Sequence, residues 1–205
     1  AFLRYSMAAS TPLATATATF FVRAEGTCNT TACATVVVTV NTLSTTPPGI
    51  SASVNPVCLG GSATLSVVGG SLGTGASWFW YSLSCGVGFV GTGASLSVSP
   101  GSTTTYYVRA EGICNTTSCV SVTVTVNTNS TAPTGITSSA GTTFCSGTST
   151  TLTETGGVLG SGAVYNWYTG SCGGTLVGAG ASIGVTPAST TTYYVRAEGT
   201  CNTTA

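Results

Sequence analysis

The decapeptide "TTTYYVRAEG" occupies Thr103 to Gly112 and recurs unchanged from Thr190 to Gly199, 87 residues further on. A shorter copy, "FFVRAEG" from Phe20 to Gly26, lies 86 residues before the first. A fixed period of this length means that one structural unit is repeated, so the chain folds as a string of small similar modules and not around one large core. The cysteines keep the same step: Cys28, Cys114 and Cys201; Cys58 and Cys145; Cys85 and Cys172. So do "WYSLSCG" (Trp80 to Gly86) and "WYTGSCG" (Trp167 to Gly173). Pro-bearing stretches without apolar periodicity, "STTPPGI" (Ser44 to Ile50) and "STAPTGI" (Ser130 to Ile136), mark the joints. The expected division is an incomplete unit over 1–46, a complete one over 47–131, and one over 132–205 that lacks its final strand.

Each unit reads as β throughout. "SATLSVVG" (Ser62 to Gly69) and "SVTVTVN" (Ser121 to Asn127) alternate apolar and polar residues with period two, as half-buried strands do. Thr, Val and Tyr favour strands, Gly and Pro punctuate at short intervals, and no segment carries helix caps over a 3.6-residue apolar period. About seven short strands in such a unit predict tandem immunoglobulin-like antiparallel β-sandwiches. Trp80 and Trp167 are then the core tryptophans of the third strand, "TTTYYVRAEG" is the sixth strand, and the segment after it the seventh.

Composition narrows function mainly by exclusion. Charged residues make up 4% of the 205 residues, four Arg and four Glu, with net charge zero; Lys, Asp, His and Gln are absent. Without His, Asp, Lys or a nearby carboxylate pair, neither general acid–base catalysis nor a calcium site has its groups, so no catalytic residue, metal or cofactor is expected. Without Lys, Lys–Asn isopeptide crosslinks are ruled out. Four scattered Arg do not make a phosphate-binding surface, which argues against nucleic acid. No apolar run approaches the ~20 residues of a membrane-spanning helix. "AFLRYSM" lacks the charged start and apolar stretch of a secretion signal, so the chain reads as already processed.

Nine cysteines at repeated C-x4-C and ~27-residue spacings favour disulfides over an all-thiolate zinc site, and with them an extracellular or periplasmic setting. The spacing suggests Cys58 with Cys85, closing a loop worth roughly 3–4 kcal/mol, and Cys114 with Cys119, closing a hairpin tip worth about 2 kcal/mol. Cys28 with Cys33 and Cys145 with Cys172 are their counterparts, which leaves Cys201 unpaired within the chain.

The pattern "CxGxxxTL…WYxxxCGG…VGxGxSxxVxPxxTTTYYVRAEGxCNTTxC" resembles the Ig-like repeats of very large secreted and cell-surface proteins of the Bacteroidota. The resemblance covers residues 47–205 well and 20–46 in part, whereas residues 1–19 match poorly. It implies a stalk, adhesin or matrix role and no catalytic residue.

Three further features bear on partners. Asn29, Asn115 and Asn202 open Asn-Thr-Thr sequons at hairpin tips and Asn129 opens a fourth in a linker, so covalent glycans are expected to solvate a surface with almost no charge. "VRAEG" places Arg23 and Glu25, Arg109 and Glu111, and Arg196 and Glu198 two apart on a strand, each pair on one face, as exposed ion pairs or contacts between domains or subunits. "SWFWYS" sets Phe79 and Tyr81 opposite the tryptophans, candidates for cover by a neighbouring subunit; "VYNWYT" has Asn166 in place of Phe79, so an aromatic platform for sugars is not maintained.

The function expected is structural: an extracellular fibre or surface stalk of glycosylated repeats, with copies of the chain joined head to tail. The alternative is an adhesin or carbohydrate-binding module. A sandwich short of one strand invites strand addition, and the candidate donors are Ala1 to Ala9, Ala14 to Val22 and Ala34 to Val40. The competing expectation is that the residues are a window of a longer tandem chain.

Overall fold

A computed structural model describes residues 16–205. The first two strands, β1 (Ala18–Val22) and β2 (Ala34–Val38), form a two-stranded antiparallel sheet by themselves. Among the described residues nothing buries it: every residue of β2 is exposed, including Val36 and Val37 at 58% and 59%.

The next unit is a sandwich. Its strands are β3 (Gly49–Ala52), β4 (Val57–Cys58), β5 (Ala63–Val68), β6 (Ser77–Ser84), β7 (Val87–Thr92), β8 (Ser95–Val98), β9 (Thr104–Glu111), β10 (Val120–Val124) and β11 (Val126–Asn127). One sheet runs β3-β5-β8 and the other β10-β9-β6-β7, all antiparallel, while β4 pairs in parallel with β11. The inward-facing residues follow from the two-residue period: Leu65 of β5, Trp78 and Trp80 of β6, and Tyr106, Val108 and Ala110 of β9 close the core with Val57, Val98 and Val124. Trp80 is fully buried, and its indole N–H donates to the Gly93 carbonyl at 2.8 Å, so the polar edge of the largest core residue is satisfied.

The last unit repeats the plan with β12 (Gly135–Ser138), β13 (Thr150–Thr155), β14 (Val164–Thr169), β15 (Thr175–Ala179), β16 (Ser182–Val185) and β17 (Tyr193–Glu198). Its sheets are β12-β13-β16 and β15-β14-β17. Trp167 takes the place of Trp80, again fully buried and again donating, here to the Gly180 carbonyl at 2.8 Å. In this sandwich β17 has β14 on one side and, among the described residues, no strand on the other, where β9 carries β10.

Candidate functional site: the repeat junction and the open edge

Functional geometry concentrates where one unit meets the next. In the linker between the sandwiches, the Ser130 N–H donates to Asn202 Oδ1 at 2.8 Å, and Asn202 Nδ2 donates back to the Ser130 carbonyl at 2.9 Å. The same two bonds, both 2.9 Å, join Ser44 to Asn115 at the preceding junction. Each serine hydroxyl then accepts a backbone N–H from the loop that precedes its sandwich's third strand, Gly73 to Ser44 at 2.9 Å and Gly160 to Ser130 at 3.0 Å. Both serines are buried as a result. The linker is thus gripped between two loops of the unit that follows it, the second-to-third-strand loop and the "CNTT" hairpin.

Glycine makes that approach possible. A Cβ on Gly73 would lie 2.2 Å from the Thr42 carbonyl oxygen, and one on Gly160 would lie 2.4 Å from that of Thr128. Both obstacles are backbone, so no side-chain rotation relieves them.

The Asn-Thr-Thr triplet has a structural purpose that the sequon pattern concealed. Its asparagine holds the linker. Its last threonine, Thr117 or Thr204, is buried and accepts the backbone N–H of Ala110 (3.0 Å) or Ala197 (2.9 Å). This corrects the expectation of free, exposed sequons at Asn115 and Asn202, because the amide nitrogen that would carry the sugar is already donating and half-buried. Asn29 and Asn129 are exposed.

The disulfides also differ from those the spacing suggested. Cys58 bonds to Cys201, across the junction and 143 residues away, and Cys85 bonds to Cys119, 34 residues away. Cys201, expected to be unpaired, is therefore bonded, while Cys28, Cys33, Cys114, Cys145 and Cys172 are free and exposed. The cause is the way the hairpin folds. The Glu111–Thr116 bridge and the Gly112 N–H bond to the Asn115 carbonyl (3.0 Å) tighten its tip, and Asn115 is committed to the preceding linker. Cys119 instead opens onto β10, beside Cys85 at the end of the β6–β7 hairpin. At the other end, pairing of Asn127 with Cys58 holds Cys58 beside the start of the next linker, within reach of the following hairpin tip.

The charged motif is absorbed within each sandwich. Arg109 Nε donates to Glu111 Oε1 at 2.8 Å, the Tyr81 hydroxyl donates to the same carboxylate, and the guanidinium lies 5.3 Å over the Tyr81 ring. Arg196, Glu198 and Tyr168 repeat the arrangement at 2.6 Å and 5.1 Å, and Asn166 Nδ2 adds a bond to Glu198 Oε2 at 2.9 Å. The Tyr81 and Tyr168 hydroxyls, seconded by the arginines, pull the Glu111 and Glu198 carboxyls below their ordinary range. Burial and the carboxylate push the Tyr81 hydroxyl up. A turn glycine with positive φ, Gly86 or Gly173, lets each guanidinium lie against the backbone. These pairs are half-buried and their groups are spent inside the domain, unlike Arg23 and Glu25, which are 51% and 62% exposed. Tyr81 is likewise covered from within its own unit, by Arg109 and by Phe89 at 6.3 Å, so no neighbouring subunit is needed to bury it. Phe79 is half-buried against Phe89 at 6.0 Å. Trp78 and Trp80 are in the core and offer no ring to a sugar.

The second feature is the edge of β17 that carries no strand among the described residues. Tyr106 and Val108 of β9 are buried at 6% and 0% exposure, but their counterparts Tyr193 and Val195 are only half-buried. Beside them runs a groove of about 280 Å³ lined by Ile136, Tyr193, Tyr194, Val195 and Cys172. A wider one of about 720 Å³ opens the lower end of the same core, with Leu152 and Cys145 in its wall. Of the candidate donor strands, Ala34 to Val40 contains β2, Ala14 to Val22 contains β1, and Ala1 to Ala9 lies outside the described residues.

Among the described residues no cluster of His, Cys, Asp or Glu is placed to hold a metal ion, and no helix is long and apolar enough to cross a membrane. A family model described as "Ig-like domain CHU_C associated" matches residues 46–127 and 131–205. No curated protein matches the sequence. Among solved structures, the full ectodomain of mouse nectin-like molecule 4 is similar at 14% identity over 78% of this chain, with a TM-score of 0.43. An I-band fragment of titin is similar at 14% identity over 75% of this chain, with a TM-score of 0.48. The chain covers 62% of each of those two structures.

Proposed function

We propose, from the premise that the chain belongs to the CHU_C-associated family of Ig-like domains, that it is a length of an extracellular fibre or surface stalk in which such repeats are joined head to tail. The observation that carries this reading is the duplicated junction. Ser44 with Asn115 and Ser130 with Asn202 are built from the same residue types with bonds of 2.8–2.9 Å, so the docking of each linker onto the unit that follows it is a repeated property of the sequence. Linked domains ordinarily move relative to one another unless their interface is large. A clamp at both joints, with a covalent bond added at the second, suits a member that transmits force or holds a shape. The Cys58–Cys201 bond also favours an oxidising, extracellular setting.

Joining between copies is proposed to occur by strand addition at β17. Residues 34–40 suit this role best among the described donor candidates, because β2 already has seventh-strand sequence and is exposed along its whole length. Such a contact is heterologous and non-closing, so it propagates as a filament.

Negative-stain electron microscopy of the purified, non-reduced protein tests the reading. Long filaments of regular period are the expected result. Dispersed particles that bind glycan arrays would replace the fibre with an adhesin.

A further inference from the structure

Each of the five free cysteines is the counterpart, one or two repeats away, of a cysteine that is bonded. Cys114 stands 87 residues before Cys201, and Cys28 stands 86 before Cys114; all three sit at the tip of the "CNTT" hairpin. Cys145 stands 87 residues after Cys58, ahead of the second strand of its sandwich. Cys172 stands 87 after Cys85, and Cys33 stands 86 before Cys119. Four classes of cysteine therefore make two kinds of bond. One kind joins the hairpin tip of a repeat to the repeat before it, as in Cys58–Cys201. The other ties the seventh strand of a sandwich to the turn after its third strand, as in Cys85–Cys119. Each of the five free thiols corresponds in position to one half of one of these bonds. By that correspondence Cys145 calls for a hairpin-tip cysteine of a following repeat, and Cys172 for a seventh-strand cysteine.

We propose that these two disulfides are the unit of a ladder, in which every repeat is bonded once within itself and once to its neighbour, and that the groove beside Cys172 receives the cysteine-led seventh strand of a further repeat of this same kind. Two independent observations support the occupant. In the complete sandwich the corresponding space is filled by β10, whose leading Cys119 is bonded to Cys85. In the other, Tyr193 and Val195 are left half-buried along a groove that has Cys172 in its wall. The chemistry is thiol–disulfide exchange. The Cys172 thiolate attacks a disulfide that already holds the incoming cysteine, the new S–S bond forms, and the displaced thiol leaves with the electron pair of the broken bond. In an oxidising compartment the oxidant is a small-molecule or protein disulfide, reduced to two thiols as two cysteine thiols are joined. The ladder goes beyond the fibre reading, since it applies equally to a stalk or an adhesin made of these repeats.

The test uses the 205-residue chain and a synthetic octapeptide copying Cys119 to Val126, its thiol carried as a mixed disulfide with thiopyridine. After a short substoichiometric reaction, the linked peptides are mapped by mass spectrometry without reduction. The starting chain is expected to show Cys58–Cys201 and Cys85–Cys119. The octapeptide is expected on Cys172 in preference to the other four thiols by about tenfold or more, because docking raises its local concentration there. A scrambled octapeptide keeping its leading cysteine is expected to label all five alike. Recovery of Cys114–Cys119 or Cys145–Cys172 from the starting chain overturns the ladder. Equal labelling by the native and scrambled peptides overturns the groove's occupant.

Discussion

The bond across the junction makes a quantitative prediction. Consider Cys201→Ser, which removes Cys58–Cys201 and leaves Cys85–Cys119 in place. Asn127 is paired beside Cys58, so with the first sandwich folded the bond returns the chain close to the point where it left. Unfolding of the second sandwich alone then occurs inside a closed loop from 127 to 201. A loop of about 74 residues restricts the unfolded chain by roughly 4 kcal/mol on the chain-entropy model. If both sandwiches unfold together, the loop is the full 143-residue separation and the figure rises to about 5 kcal/mol. The assay is urea denaturation of the wild-type chain, Cys201→Ser and Cys58→Ser, with free thiols alkylated first, following Trp167 and Trp80 fluorescence. The expected outcome is a midpoint for the second sandwich lowered by the same amount in both variants, with no further loss in the double variant. The reasoning fails if the two single variants differ by more than about 1 kcal/mol, or if their effects add, because partners in one bond lose it only once.

Other outcomes follow from the same geometry. Asn202→Ala leaves the buried Ser130 N–H and carbonyl without partners and should cost about 2–4 kcal/mol, read as a lower thermal midpoint of the second sandwich; Asn115→Ala should do the same for the first. Gly160→Ala places a methyl group against the Thr128 carbonyl, so it should open the junction, and small-angle scattering should show a broader distribution of inter-domain distances at unchanged strand content. Acid should destabilise both sandwiches through Glu111 and Glu198. Their folded-state pKa values lie below the unfolded value near ~4.3, so their stabilisation is complete above that value and is lost as pH falls through the folded one. Tyr81→Phe with Tyr168→Phe removes the main cause of the depression, and the fall in urea midpoint between pH 6 and 3 should shrink. An unchanged fall would assign the acid sensitivity to other groups.

The strands and their cores were legible because they rest on local rules. Period-two alternation identified the two faces of β5 and β10, and a tryptophan repeated in step inside an aromatic strand had one place to go. The disulfide pairing was not legible. Spacing reports distance along the chain, whereas pairing depends on how the hairpin tip turns and on which unit lies next to it. Cys114 and Cys119 are five residues apart but face opposite ends of the repeat's bonding scheme, and Cys58 finds its partner only because the following repeat folds back on the linker. The Asn-Thr-Thr triplet misled for a related reason. A motif read by glycosylating enzymes has the same residues as a backbone clamp followed by a buried threonine, and only the structure shows Asn202 occupied. One signal was available: Ser44 and Ser130 recur in step with Asn115 and Asn202, which an independent surface sequon does not require.

Few charges and a redundant junction belong to one design. A chain with only four Arg and four Glu cannot keep neighbouring repeats apart by repulsion, nor orient them by complementary charge. Half of those charges are in any case held in the Arg–Glu–Tyr clusters of the two sandwiches. Orientation must then come from short-range, directional contacts. Backbone-to-amide bonds, a glycine that admits the linker backbone and a disulfide supply such contacts, and none of them weakens with salt as a surface ion pair does. The stiffness of an array of these repeats is accordingly set at residues 128–131 and their counterparts and is insensitive to ionic strength. Raising salt from low to molar concentration should leave the inter-domain scattering profile unchanged, whereas reduction of Cys58–Cys201 should broaden it. A profile that relaxes with salt alone would transfer the orienting role to the few charges that remain.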